Sequence, residues 1–321
     1  MQRDIGGYFG LELKNGSLYH SDCVMLNSCR NALRYLIRAY NIKKLNVPYY
    51  TCPVVFQAIE KESCKLELYE IDKMFYPKKN FKNDDYILYT NYFGICSSNI
   101  KKLVKKYPNL IIDNAMAFYS PYNGLASIYS PRKFFGTADG GILKTEKLLN
   151  EKFDKSQSYQ RFSHLLKRID CGAEFGYSDF NYNENQLSIE PIKKMSNLTF
   201  NMLKSIDYEY VKNKRLNNFK YLKKSLDDFN MLKIKINKTD VPAYYPLLVK
   251  EAAQIRKEFL AENIYCPQPW RGLSSYIRGD GCENEKMFYD YLIPLIIDQR
   301  CGIDDMDKML KIIKKVVKQN E

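Results

Sequence analysis

Asp113 stands directly after Leu110-Ile111-Ile112, an apolar run that reads as a buried strand. Open α/β sheets present ligand groups at the carboxyl ends of their strands, so an acid there is well placed to meet a ligand. Lys133 follows Ser130-Pro131-Arg132 and precedes Phe134-Phe135-Gly136, with Asp139-Gly140-Gly141 just beyond. A lysine between apolar rings and a glycine turn can be partly desolvated, which frees its amine to attack an aldehyde and form a Schiff base. The third place is Asn27-Ser28-Cys29-Arg30-Asn31, a polar turn feeding a helix. Backbone N–H groups at a helix start receive phosphate, here with help from the Ser28 hydroxyl and the Arg30 charge. Each feature alone has an ordinary reading: a turn aspartate, a surface lysine, a helix cap. Their order along one chain gives the three a common chemistry.

The elements that must position these residues alternate. Leu33, Leu36 and Ile37 recur at helical spacing up to Tyr40, and Leu45 to Pro48 is a short strand. A helix is expected over Val54 to Glu60, strands over Lys65 to Ile71 and Tyr86 to Thr90, a helix over Asn99 to Tyr107, then the strand ending at Asp113. Two short β-like runs lie within Ala126 to Thr145. Such alternation predicts an α/β layer architecture with a mostly parallel sheet. Tyr177 to Asn185 is polar and reads as a loop, while Met195 to Leu226 is helical with a break at Asp207. Strands over Met231 to Ile236 and Tyr244 to Val249, a helix over Ala252 to Glu262 and a last helix over Asp304 to Lys318 complete a smaller α+β part. The expected division is a large domain over 1–205 and a small one over 206–321.

The chain of 321 residues is 45% hydrophobic and 27% charged, which excludes wholesale disorder and fibrous repeats. Fifty Lys and Arg against 37 Asp and Glu give a net charge of +13. The lysines are dispersed, so the charge points to anionic small molecules and not to a nucleic-acid patch. Nine cysteines without a Cys-x-x-Cys pair suggest reduced thiols, and two distant histidines support neither a histidine triad nor a multi-histidine metal site. With no basic-then-apolar leader and no apolar run of about 18 residues, the expectation is a cytoplasmic protein with no membrane partner.

Nearly the whole chain resembles the DegT/DnrJ/EryC1/StrS family of sugar aminotransferases, which use pyridoxal 5'-phosphate (PLP) and share the type I fold of aspartate aminotransferase. Asn27 to Leu33 is similar to that family's Gly-Thr-x-Ala-Leu phosphate turn, and Val47-Pro48-Tyr49-Tyr50-Thr51-Cys52 to its Pro-x-Tyr-Thr-Phe strand end. Tyr92-Phe93-Gly94 is similar to its aromatic-glycine step. Ile111 to Phe118 resembles Ile-Glu-Asp-Ala-Ala-Gln-Ala, and Ser130 to Gly141 resembles Ser-Phe-x-x-x-Lys…Glu-Gly-Gly, with Asp113 and Lys133 at the family's usual separation.

The resemblance implies that Lys133 holds PLP as a Schiff base and that Asp113 pairs with the pyridine nitrogen. Ser28, Cys29, Arg30 and Asn31 would serve the phosphate, with a hydroxyl from Ser130 or Ser127, and Cys52 and Met116 would lie against the ring. It further implies a homodimer that moves an amino group from an amino acid, glutamate in the family, to a nucleotide-linked keto-sugar. A dehydratase relative would have histidine in place of Lys133. The chain departs from the family where Met116 replaces Gln or His, Cys52 replaces a covering aromatic ring, and Ile192 stands where an Asn reaches the neighbouring subunit, a role for which Asn181 and Asn183 are candidates. These departures keep open a PLP-fold protein with different sugar chemistry or a non-catalytic binding role. Trp270 reads as a packing residue, with a substrate-side aromatic as the alternative.

Overall fold

The structure, a computed structural model, describes residues 5–268, 270, 272–277 and 281–318. The first part runs β1 (Val24–Leu26), α1 (Cys29–Tyr40), β2 (Lys44–Pro48), α2 (Pro53–Glu60), β3 (Lys65–Tyr69), β4 (Tyr86–Thr90), α3 (Ser97–Lys106), β5 (Leu110–Asn114), β6 (Ala126–Tyr129) and β7 (Gly141–Thr145). It continues through α4 (Ser163–Asp170), α5 (Tyr177–Ile189), α6 (Asn197–Lys204) and α7 (Tyr208–Leu226) to β8 (Tyr244–Leu248), α8 (Ala252–Ala261), α9 (Glu283–Tyr291), β9 (Leu292–Ile296) and α10 (Ile303–Lys318).

Seven strands form one sheet in the order β1-β7-β6-β5-β4-β2-β3, and β8 pairs with β9 in a second. In the large sheet only β7 runs against its neighbours, so the expectation of a mostly parallel sheet holds. Parallel strands need crossovers, and α1, α2 and α3 supply them while covering the sheet. One face packs Leu45, Val47, Leu88, Ile111 and Ile128 against Leu33, Leu36 and Phe56. The other places Ile87, Tyr89 and Ile112 in a core that continues to Phe219, Tyr245 and Ile313. Alternate residues of β4 and β5 thus serve opposite cores, as the two-residue period of a strand requires.

Two expectations need correction, and one strand was not anticipated. Tyr177 to Asn185 is not a loop but part of α5. Its Asn- and Tyr-rich sequence has weak helix propensity, and tertiary bonds hold it: Arg30 Nη1 donates to the Leu187 carbonyl at 2.9 Å, Asn183 Nδ2 to Ala138 at 2.8 Å, and Lys61 Nζ to Ser188 at 2.8 Å. Met231 to Ile236 joins no sheet, although Leu232 and Ile234 are buried as its alternation suggests. The Asn230 side chain takes the N–H groups of Leu232 and Leu248, each at 3.0 Å, in place of a continuing ladder. β9, which the sequence reading missed, carries a proline mid-strand; Pro294 lies opposite Pro246, and a two-stranded sheet tolerates both because each strand is an edge. Among the described residues no helix is long and apolar enough to cross a membrane.

Candidate active site

The carboxyl ends of β2, β4, β5 and β6 open into a cavity of about 180 Å³. Register explains which side chains reach it. Thr90 pairs with Asp113 and Asp113 with Ile128, so the three sit side by side on one face, with Leu88 two residues before Thr90. All four line the cavity. Ser28, Cys29 and Arg30 of the α1 entry, Thr51 and Cys52 after β2, and Ser130, Arg132 and Lys133 after β6 complete most of the wall.

At the sheet end, Asp113 Oδ1 accepts the Ala115 N–H at 2.9 Å, and among the described residues no hydrogen bond reaches Oδ2. Burial raises the Asp113 pKa above the ordinary carboxylate value, opposed by the Ala115 N–H and the Lys133 charge. An acid held this way gains when a cation arrives beside it. Lys133 closes a 3₁₀ turn, Pro131–Lys133, that begins at the proline and brings its amine to the same cavity. Cys29 and Cys52 flank these groups, and burial pushes both thiols up despite the nearby Lys133 charge. They are neutral neighbours of the lysine and not rival nucleophiles.

At the start of α1, Ser28 caps the helix by accepting the Asn31 N–H on Oγ at 3.1 Å, which leaves its hydroxyl proton free to donate. The Cys29 and Arg30 N–H groups belong to the first turn, where no intrahelical acceptor exists. β7 presses against this turn. A Cβ on Gly141 would stand 2.2 Å from both the carbonyl carbon and the oxygen of Ser28, so only glycine permits the approach.

Eight of the nine expected site residues therefore meet in one cavity: Ser28, Cys29, Arg30, Cys52, Asp113, Met116, Ser130 and Lys133. Asn31 does not. Its side chain donates to Asn27 Oδ1 at 2.9 Å and to the Pro191 carbonyl at 2.8 Å, fastening α1 to the chain after α5. Ser127 is likewise turned away, exchanging hydrogen bonds with the Asn123 backbone at 3.1 and 3.2 Å. Asn183 is buried against Ala138, and Asn181 is exposed. Trp270 does pack, edge-on to Tyr50 with ring centroids 4.5 Å apart, but it also lines the cavity.

The sequence reading missed Arg132 and Glu184, which pair across the cavity wall. The presence of a second cation immediately before Lys133 was the one available signal; its acidic partner sits on a helix that looked like a loop.

Sequence comparison matches no protein-family model and no curated protein. Solved structures do match. A DegT DnrJ EryC1 StrS aminotransferase from Brucella abortus superimposes with a TM-score of 0.62 at 13% identity, covering 93% of this chain and 86% of its own. The PMP form of Spr1654 from Streptococcus pneumoniae gives 0.64 at 14%, covering 92% and 88%. DesI, in the presence of its TDP-sugar product, gives 0.64 at 14%, covering 91% and 79%. At such identities the likeness is one of architecture, and the fold of this chain is the one found in the DegT/DnrJ/EryC1/StrS aminotransferases.

Proposed function

We propose that the protein is a PLP-dependent aminotransferase that moves an amino group from an amino acid, glutamate by family likeness, to a nucleotide-linked keto-sugar. The observation that carries this reading is the joint placement of Asp113, Lys133 and the Ser28–Arg30 helix start around one cavity. The residues fit the group. A buried carboxylate with one oxygen free suits a protonated ring nitrogen, a lysine suits the aldehyde, and first-turn N–H groups with the Ser28 and Ser130 hydroxyls suit the phosphate. The likeness to DesI and its TDP-sugar product supports the substrate class, as does the positive charge of the chain.

PLP, when bound, supplies an electron sink that stabilises negative charge developing at a substrate carbon. Asp113 would hold a proton on the ring nitrogen, which would keep that sink effective. Lys133 Nζ would hold the cofactor through its aldehyde and, when freed by the donor amine, would be the base that takes the proton from the donor's α-carbon. Thr51, Cys52 and Trp270 wall the cavity on the β2 side. Met116 lines the cavity and would offer the ring a thioether contact without a hydrogen-bond donor for its phenolic oxygen.

The direct test is a half-reaction. Protein loaded with PLP is yellow, and adding glutamate alone should bleach it with formation of one equivalent of 2-oxoglutarate. A protein that binds PLP but keeps its colour with every common amino acid would favour the second reading, a non-catalytic relative, which Met116 and Cys52 support.

We further propose the division at 205/206 into large and small parts, and a homodimer. Leu166, Ile169, Phe175 and Phe180 of the α4–α5 region are each exposed, as are Ile5, Tyr8 and Phe9, apolar side chains of the kind a second copy covers. Sedimentation should give twice the chain mass, and a monomer at micromolar concentration would refute the pairing.

A further inference from the structure

We propose that Arg30 and Arg132 form a paired-arginine seat for the cofactor phosphate, and that Glu184 fills this seat until the phosphate displaces it. The inference rests on the reading of the cavity as a PLP site. Arg132 and Glu184 both line the cavity and bond each other, guanidinium to carboxylate. Arg30 lines the same cavity close enough to repel the Arg132 charge, with Nη1 on the Leu187 carbonyl at 2.9 Å. The Nε atoms of both arginines are buried without a partner. Two guanidinium edges with unspent donors, beside the open N–H groups of the α1 start, match the several acceptor oxygens of a phosphate.

The other charges nearby are already committed. Asp139 accepts the Ser196 N–H and hydroxyl at 3.1 and 2.8 Å, and Arg161 is bonded to Ser156 at 3.1 Å and paired with Glu190 at 3.5 Å. Burial lowers the Arg132 pKa to about 10, with Arg30 and Arg161 adding repulsion, so this cation gains from an anion beside it. Glu184 is that anion now, yet its side chain is 38% exposed against 18% for Arg132. It can swing to solvent while Asn183 and the Leu187 carbonyl keep α5 in place. A phosphate monoester carries close to two negative charges at neutral pH, which the two arginines balance. Glu184 in the seat at the same time would add an uncompensated like charge, so carboxylate and phosphate compete.

The test compares PLP with pyridoxal, which lacks the phosphate, in equilibrium binding to the full-length apo protein. Glu184→Gln should bind PLP about tenfold more tightly, and Arg132→Met about tenfold more weakly, while pyridoxal affinity stays the same in both. The opposite signs separate this role from simple loss of structure, and the near-isosteric Glu184→Gln carries the test if Arg132→Met fails to fold. Unchanged or weaker PLP binding by Glu184→Gln overturns the proposal, as does an equal change for pyridoxal. Titration with a nucleoside diphosphate distinguishes the second source of phosphate: if its affinity responds to Glu184→Gln and that of PLP does not, the seat belongs to the sugar nucleotide and the assignment to the cofactor is wrong. If the wild-type protein binds neither PLP nor pyridoxal, the cofactor reading itself has failed.

Discussion

Lys133→Ala should leave a protein that folds, binds PLP without covalent attachment, and transaminates slower than wild type by a factor of about 10³ or more. Lys133 is exposed at the cavity mouth, on the closing residue of the Pro131–Lys133 turn. Removing its amine disturbs no buried packing, so the melting temperature of the apo protein should change little. The loss would fall on two steps that need that nitrogen: covalent capture of the aldehyde and proton transfer at the donor carbon. An added small amine should restore part of the rate by replacing the lost base, which a purely structural defect would not allow. Steady-state kinetics with and without methylamine, alongside thermal melts, make the comparison.

Asp113→Asn should separate stability from catalysis. In the apo protein burial raises the Asp113 pKa, so the folded state holds the proton more tightly than the unfolded chain. For an acid shifted in this direction, stability falls as pH rises from the unfolded pKa through the folded one, and the penalty is fully present above both. Asparagine keeps the acceptor for the Ala115 N–H and carries no charge. Apo Asp113→Asn should therefore melt higher than wild type at neutral pH, and the difference should vanish at acidic pH, where the aspartate is protonated folded and unfolded alike. With PLP present the order reverses, because the carboxylate gains the ring-nitrogen cation and the amide does not. The kcat should fall by roughly 10²–10³-fold, the scale of losing one preorganised electrostatic contact. A variant that melts lower in the apo form at neutral pH would show that Asp113 is held mainly as a structural acceptor.

Local patterns account for what the sequence made legible. An apolar run that stops at Asp113 marks a strand end, a polar turn before a helical repeat marks an N-terminus, and Pro131 sets the turn that presents Lys133. These are one-dimensional signals, and the parallel sheet converges them because its strands share a direction. What stayed hidden depends on distant partners. α5 forms from residues that favour loops because Arg30, Lys61 and Ala138 hold it, and the Arg132–Glu184 pair exists only through that helix. Met231 to Ile236 keeps its alternating burial while the Asn230 side chain takes the N–H groups a strand would pair. Asn31 and Ser127 have the right chemistry in the right neighbourhood, yet rotation about the helix and alternation along the strand turn them toward other acceptors.

The central claim is that Lys133 is the covalent anchor of the cavity. Incubating the purified protein with PLP, reducing with borohydride and sequencing the labelled peptide tests it directly. The expected result is a single stable label on Lys133, absent from Lys133→Ala. No label, or a label on another lysine, would contradict it.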